Sequence, residues 1–288
     1  MNNPHDLHSS RMADAWATLK AQNDAGVSLP ADAGRIAFAD PEFLLRRDTR
    51  GIRFQLELLK PDLEQADHGI ENTIVVFGSA RFKSEETAKS LLAQAKENGD
   101  PIQIAQCEKL LKNSAHYETA RQFARLVASY SADKRPEDKL YICTGGGPGI
   151  MEAANRGAHE VGGQSVGLSI ALPFEEKANP YVTPHLSFKF HYFALRKMHF
   201  MMRAKALVAC PGGFGTLDEL FEIMTLVQTR KSKPVPIFLM GKDYWTRLIN
   251  FDVLIEEGTI SPQDMGLFTI TDDPQEAWEA IRKFYELP

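Results

Sequence analysis

"ALVACPGGFGTLDELFEIMTLVQ", residues 206–228, opens on a short apolar run, breaks on a proline and three glycines between Pro211 and Gly215, and resumes as an acidic amphipathic segment. Such a run ending in glycine reads as a buried strand, and the segment after it reads as a helix. "KLYICTGGGPGIMEAANRGAHEVGG", residues 139–163, repeats the order of strand, glycine turn and helix. Two such units in one chain call for a parallel sheet, because parallel neighbours are joined by helical crossovers.

The rest of the chain extends the pattern. "TIVVFGSAR" (73–81), "SVGLSIALP" (165–173) and "PVPIFLMG" (234–241) read as further strands. "HYETARQFARLVASYSA" (116–132), "FALRKMHFMMRAK" (193–205) and "PQEAWEAIRKFYEL" (274–287) read as helices between and after them. "SEETAKSLLAQAKENG" and "DPIQIAQCEKLLKNS", split at Gly99-Asp100-Pro101, read as an inserted helical hairpin over 83–115. The expected fold is α/β: a Rossmann-like, doubly wound parallel sheet over 71–288 with an N-terminal helical extension. Residues 1–70 form that extension, a polar arm with a short helix around Met12 to Gln22. A helical stretch over 40–65 follows, with apolar positions Phe43, Leu44, Phe54, Leu58 and Leu59. An amphipathic stretch of that length is expected to cover its apolar side on the main domain or on a second subunit.

Bulk properties exclude several classes. The 288 residues carry a formal net charge of -5, so there is no basic field to hold nucleic acid. Cys107, Cys143 and Cys210 are far apart and odd in number, which fits a reducing cytoplasm and argues against a structural zinc site. His185, His191 and His199 lack metal-ligand spacing. Neither a signal peptide nor an apolar run of membrane-spanning length stands in the sequence. A cytoplasmic protein with no metal, no cofactor and no membrane partner is expected.

The two glycine turns, "TGGGPGIME" (144–152) and "PGGFGTLDE" (211–219), should open on one edge of the sheet, where helix starts offer unpaired N–H groups to an anion. Each is also readable as a bare tight turn. Two on one edge, each followed within a turn by a carboxylate, favour a phosphate-bearing ligand. Neither contains the GxxxxGK[ST] of a nucleoside triphosphate loop. The GxGxxG dinucleotide pattern fails at Ile150, and no acid ends the strand after it. A nucleoside monophosphate suits two short turns better.

"PGGFGTLDE" resembles the PGGxGTxxE motif of the LOG (Lonely Guy) family, once widely labelled lysine decarboxylases. "LRKMHF" (195–200) is similar to its RKxxM-type element, with Met198 directly after Lys197. "FGSAR", "GGGPGIMEAAN" and "LPFEEKANPY" match further, so the resemblance runs over about 73–245. It implies a phosphoribohydrolase that cleaves AMP or cytokinin riboside monophosphates to free base and ribose 5-phosphate, and an assembly of at least a homodimer.

Cleavage of a ribosyl–base bond passes through an oxocarbenium-like state. Backbone N–H groups of Gly212, Gly213, Gly215 and Thr216, with the Thr216 hydroxyl, are candidates to hold the phosphate; Gly145, Gly146 and Gly147 would line the opposite wall. Glu219 would hold the ribose hydroxyls or activate water, or serve only as an N-terminal acid on its helix. Arg196 would bind the phosphate or polarise the base, with Lys197 and Met198 beside it in the family's register. Glu175 matches the family's acid after the strand-ending Leu-Pro and competes with a reading as an exposed loop carboxylate. Ser79 is a nucleotide contact or a turn-capping serine. A non-catalytic nucleotide sensor is the rival reading. An amino-acid decarboxylase would want an electron sink such as pyridoxal phosphate, for which no motif argues.

Overall fold

The computed structural model describes residues 36–171 and 178–288. The helix expected around Met12 to Gln22, and Glu175, lie outside them. The chain divides into two compact units, Met1–Gln55 and Leu56–Pro288. In the first, a short helix α1 (Pro41–Leu45) starts on Asp40, whose carboxylate accepts from the N–H groups of Glu42 and Phe43. The Thr49 hydroxyl closes its far end against the carbonyls of Leu44 and Arg46. Helix α2 (Arg50–Asp67) carries the chain across the division. Leu58 and Asp62 of α2 belong to the second unit. Leu58 packs on its core, and Asp62 pairs with Arg203 at 2.6 Å.

The second unit is built on seven parallel strands in the order β4-β3-β2-β1-β5-β6-β7. They are β1 (Thr73–Phe77), β2 (Tyr141–Thr144), β3 (Ser165–Ile170), β4 (Ser187–Phe190), β5 (Ala204–Ala209), β6 (Ile237–Met240) and β7 (Thr269–Thr271). β1 and β2 are buried along their whole length, as strands covered on both faces must be. Alternate residues serve opposite cores: Ile74 and Val76 pack with Phe123, Ile150 and Trp278, while Val75 and Phe77 pack with Phe200, Leu220 and Trp245.

The intervening helices are α3 (Glu85–Asn98), α4 (Pro101–Ser131), α5 (Ile150–His159), α6 (Phe193–Met202), α7 (Phe214–Gln228), α8 (Lys242–Leu248), α9 (Phe251–Glu256) and α10 (Pro274–Phe284). One expectation changes here. The second arm of the inserted hairpin and the crossover helix are a single 31-residue helix, α4. No glycine or proline separates Ser114 from His116, so nothing ends the helix there. Gly99 closes α3 at a positive φ, and Asp100 with Pro101 opens α4. β4 and β7, both at sheet edges, join the five strands read from the sequence.

The topology locates a crevice. From central β1 the chain builds outward through β2, β3 and β4, then returns to β5 on the other side of β1. Open α/β sheets bind ligands at this reversal, beyond the carboxyl ends of the strands. Here the loops leaving β1 and β5 are joined by two bonds, Cys210 N–H to Phe77 O and Ser79 N–H to Pro211 O, each 2.9 Å.

Candidate active site

Three helix starts of the sheet unit are closed by side chains. Ser84 caps α3, Asp100 caps α4 and Asp273 caps α10. The two helices that follow the glycine turns are not, nor are α6, α8 and α9: Gly213 precedes α7 and Gly149 precedes α5, neither with a side-chain cap. In α7 the first bond back into the turn is Leu217 N–H to Gly213 O, which leaves the earlier N–H groups of the helix start open. They face a cavity of about 610 Å³.

That cavity lies at the reversal point, bounded by Ser79, Ala80, Arg81 and Phe82 after β1, by Gly212 to Thr216 after β5, and by Tyr244 of α8. Arg196, Glu219 and Met151 close it on the remaining side. The turn at its edge is tightly wound. Thr216 is buried, and a Cβ on Gly212 would stand 2.2 Å from the Thr216 hydroxyl, so only glycine fits. The Tyr244 hydroxyl donates to Gly212 O and ties the turn to α8.

Arg196 and Glu219 form the buried pair of the site. Nη1 of Arg196 lies 3.6 Å from Oε1 of Glu219, with the side chains 12% and 13% exposed. Nε of Arg196 donates to Leu168 O at 2.6 Å, and the guanidinium lies 5.1 Å over the Phe200 ring one helical turn on. Burial raises the Glu219 carboxyl to about 7 against the pull of Arg196, with the neighbouring acids Asp218 and Glu222 adding to the rise. Burial also lowers Arg196. Both shifts favour the neutral forms, so desolvation costs the pair more than its attraction returns. Perturbed ionisable groups of this kind in a cavity cluster at sites that act on ligands.

The second glycine turn borders a smaller neighbouring cavity of about 190 Å³, lined by Gly145 to Pro148, Ser169, Ile170 and Ala178. The two cavities share Ala80, Met151 and Arg196. The turn is wired inward. Gly146 N–H donates to the Thr144 hydroxyl, and Nδ2 of Asn179 donates to the carbonyls of Gly146 and Gly147 and to buried Asn155. A Cβ on Gly145 would stand 2.5 Å from Nη2 of Arg196, so the glycine there makes room for the guanidinium.

Ser79, Arg196, Gly212, Gly213, Gly215, Thr216 and Glu219 thus meet around one cavity, and Gly145, Gly146 and Gly147 around its neighbour. Lys197 and Met198 line neither cavity. One helical residue is a rotation of ~100°, so the neighbours of a cavity-facing Arg196 turn elsewhere. Lys197 binds Asp218 and Glu222 on α7, and Met198 is 49% exposed. Arg81, Phe82, Met151, Tyr244, Asn155 and Asn179 were not singled out from the sequence. Arg81 and Phe82 stand in the strand-end loop after β1, on the edge where ligands bind, which is the signal that could have found them.

Residues 151–281 match the family described as "Possible lysine decarboxylase". The chain is 32% identical over 155 residues to the cytokinin riboside 5'-monophosphate phosphoribohydrolase LOG3 of Arabidopsis thaliana, covering 52% of this chain and 67% of that protein. It is 30% identical over 154 residues to a rice (Oryza sativa subsp. japonica) protein named "Probable cytokinin riboside 5'-monophosphate phosphoribohydrolase LOG4", covering 52% of this chain and 64% of the relative. Across the first rice relatives the match spans between 48% and 64% of their length. Among solved structures, TM1055 aligns at 20% identity and a TM-score of 0.44 over 74% of this chain and 99% of its own. The molybdenum cofactor carrier protein of Chlamydomonas reinhardtii aligns at 18% and 0.42 over 75% and 99%.

Proposed function

The chain belongs to the LOG family, and from that premise we propose that it hydrolyses the N-glycosidic bond of a nucleoside 5′-monophosphate, AMP or a cytokinin riboside monophosphate. The products are the free base and ribose 5-phosphate. One observation carries the reading: an uncapped helix start and a buried Arg196–Glu219 pair face the same cavity.

The 5′-phosphate sits at the start of α7, on the open N–H groups of Gly213 to Thr216, where the helix dipole also favours an anion. The base extends towards the smaller cavity beside Gly145 to Gly147, whose Met151, Ile170 and Ala178 give it apolar walls. From β5 across β1 to the β2–β3 gap is two to three strand spacings of ~4.8 Å, which matches an extended nucleoside monophosphate. The ribose then lies between, against Arg196 and Glu219. The C1′–N bond breaks with its electron pair leaving on the base, and water adds to C1′ as positive charge grows on the ribose. Glu219 as a carboxylate stabilises that charge and takes the proton from water, and the departing base nitrogen gains a proton in turn, so that free base leaves and the carboxylate is restored. Tyr244 and Thr216 hold the phosphate turn in place. No cofactor or metal is needed for this chemistry, so a chelator should leave the rate unchanged.

A homodimer or larger assembly fits the exposed apolar side chains on the sheet unit: Leu56, Leu59 and Leu63 on α2, and Phe193 and Met202 on α6. A concentration-independent monomer mass by light scattering would refute it. The activity itself is tested by incubating the full chain with AMP and measuring adenine and ribose 5-phosphate in equal amounts. AMP that binds but stays intact, alongside every other nucleoside monophosphate tried, would identify a nucleotide sensor instead.

A further inference from the structure

Arg196 and Lys197 are adjacent on α6, and each meets α7. Arg196 turns inward to Glu219 in the cavity, while Lys197 turns outward. Nζ of Lys197 lies 2.7 Å from Oδ2 of Asp218 and 3.1 Å from Oε2 of Glu222. Asp218 and Glu222 are one helical turn apart on one face of α7 and flank Glu219 in sequence, so one lysine bridges the two acids that neighbour the buried carboxylate in the chain. The Lys197 side chain is 21% exposed, against 59% for Asp218 and 41% for Glu222.

We propose that Lys197, Asp218 and Glu222 form an outer ion triad that positions α6 against α7 and sets the local charge around Glu219. Lys197 is then a positioning residue and makes no contact with the nucleotide. The proposal rests on the reading of Glu219 as the reacting carboxylate, but the triad is a property of the ligand-free protein.

The charge balance makes the proposal specific. One ammonium beside two carboxylates leaves a net charge of about -1 next to Glu219, which disfavours a second negative charge there. Of the other titratable groups that line the cavity, Arg196 from α6 pairs with Glu219, and Arg81 from the loop after β1 and Tyr244 from α8 complete the set. None of these belongs to the triad. Removing the ammonium leaves about -2, and removing one carboxylate leaves about zero. Both changes break the bridge, yet they move the charge in opposite directions. A role limited to holding two helices together predicts no such opposition.

The experiment follows the titration of Glu219 by NMR in full-length protein labelled with 13C at the glutamate side-chain carboxyl, without substrate. Glu219→Gln identifies the resonance. Lys197→Met keeps the apolar stem and removes the charge, and should raise the Glu219 midpoint by roughly half a pH unit; Glu222→Gln should lower it by a similar amount. The double variant restores the parent balance and should return the midpoint close to the parent value. Lys197→Arg, which keeps the charge, should leave it near the parent as well. Midpoints that stay put in both single variants, or that move the same way in both, overturn the proposal. If the protein cleaves no nucleotide, the hydrolase reading falls and the titration still decides the triad.

Discussion

Two turns of nearly the same composition, Gly145-Gly146-Gly147 and Gly212-Gly213-Phe214-Gly215, leave parallel strands on the same edge of one sheet, yet their backbone groups are used differently. At the first, side chains take part of the backbone: Thr144 takes the Gly146 amide, and Asn179 takes the carbonyls of Gly146 and Gly147. Gly146 holds φ at +71°, a conformation for which glycine is suited. At the second, Tyr244 takes only a carbonyl, and the first bond back into the turn comes at Leu217, leaving the earlier amides open; neither helix has a side-chain cap. Glycine content marks both turns, but the fate of each N–H and C=O is what distinguishes them.

The largest test of that contrast sits at Glu219, beside the open turn. Glu219→Gln keeps the shape and removes the charge. Base release should fall by about 10²- to 10⁴-fold, while calorimetry still detects AMP on the phosphate turn. Near-normal turnover in the folded variant would remove Glu219 from the chemistry. In the parent protein, with the Glu219 carboxyl raised to about 7, a reaction that needs the carboxylate should gain rate as pH rises from 6 to 8. A profile falling over that range would make Glu219 the proton donor instead.

Next in size is the phosphate. Charge-assisted hydrogen bonds contribute roughly 1.5–3 kcal/mol each, and binding energy remote from the broken bond can be used to hold the ribose for reaction. AMP should exceed adenosine in kcat/KM on the order of a hundredfold or more. Equal cleavage of the two would mean that the open amides at α7 bind nothing that matters.

A smaller effect tests the inward-wired turn. A Cβ at Gly145 would meet Nη2 of Arg196 at 2.5 Å and Sδ of Met151 at 2.8 Å. Both are ends of flexible side chains, so the fold can absorb Gly145→Ala while the guanidinium is displaced from Glu219. A fall in kcat of about tenfold, equivalent to ~1.4 kcal/mol, should accompany a melting temperature within a few degrees of the parent. Gly213→Ala, where an added Cβ meets nothing within 4 Å, should leave the ligand-free fold unchanged. Unchanged kcat in Gly145→Ala would show that Arg196 does not depend on that glycine.

How far the sequence could be read follows from what each signal encodes. The five central strands are apolar runs next to glycine turns, and periodicity finds them. β4 alternates exposed and buried over four residues, and β7 is three residues long, so neither stands out from loop. The pairing of Arg196 with Glu219 was accessible only through motif resemblance, since nothing local links residues 23 apart. That same resemblance drew Lys197 and Met198 into the site, because a motif is linear and a helix rotates its neighbours away. Tyr244 and Asn179 reach the turns from α8 and from the chain after β3, with no spacing rule to announce them.

The smallest expected effect is on stability, and its sign is opposite to that of catalysis. The folded protein holds the Glu219 proton up to about 7, above the ordinary glutamate value of 4.5, so the unfolded chain ionises first. Between those values the folded state binds more protons than the unfolded state, and stability therefore falls as pH rises, levelling off above about 7. The loss is bounded at about 3 kcal/mol by the size of the shift. Gln resembles the protonated acid and has no such dependence. Glu219→Gln should thus melt close to the parent at pH 5 and above it at pH 8, with the gap opening through neutrality. An inactive variant that gains stability only where the parent is ionised would identify Glu219 as a charge held at a cost for function. A gap of constant size from pH 5 to 8 would mean that Arg196 compensates the buried carboxylate fully, and the open turn would lose its partner in strain.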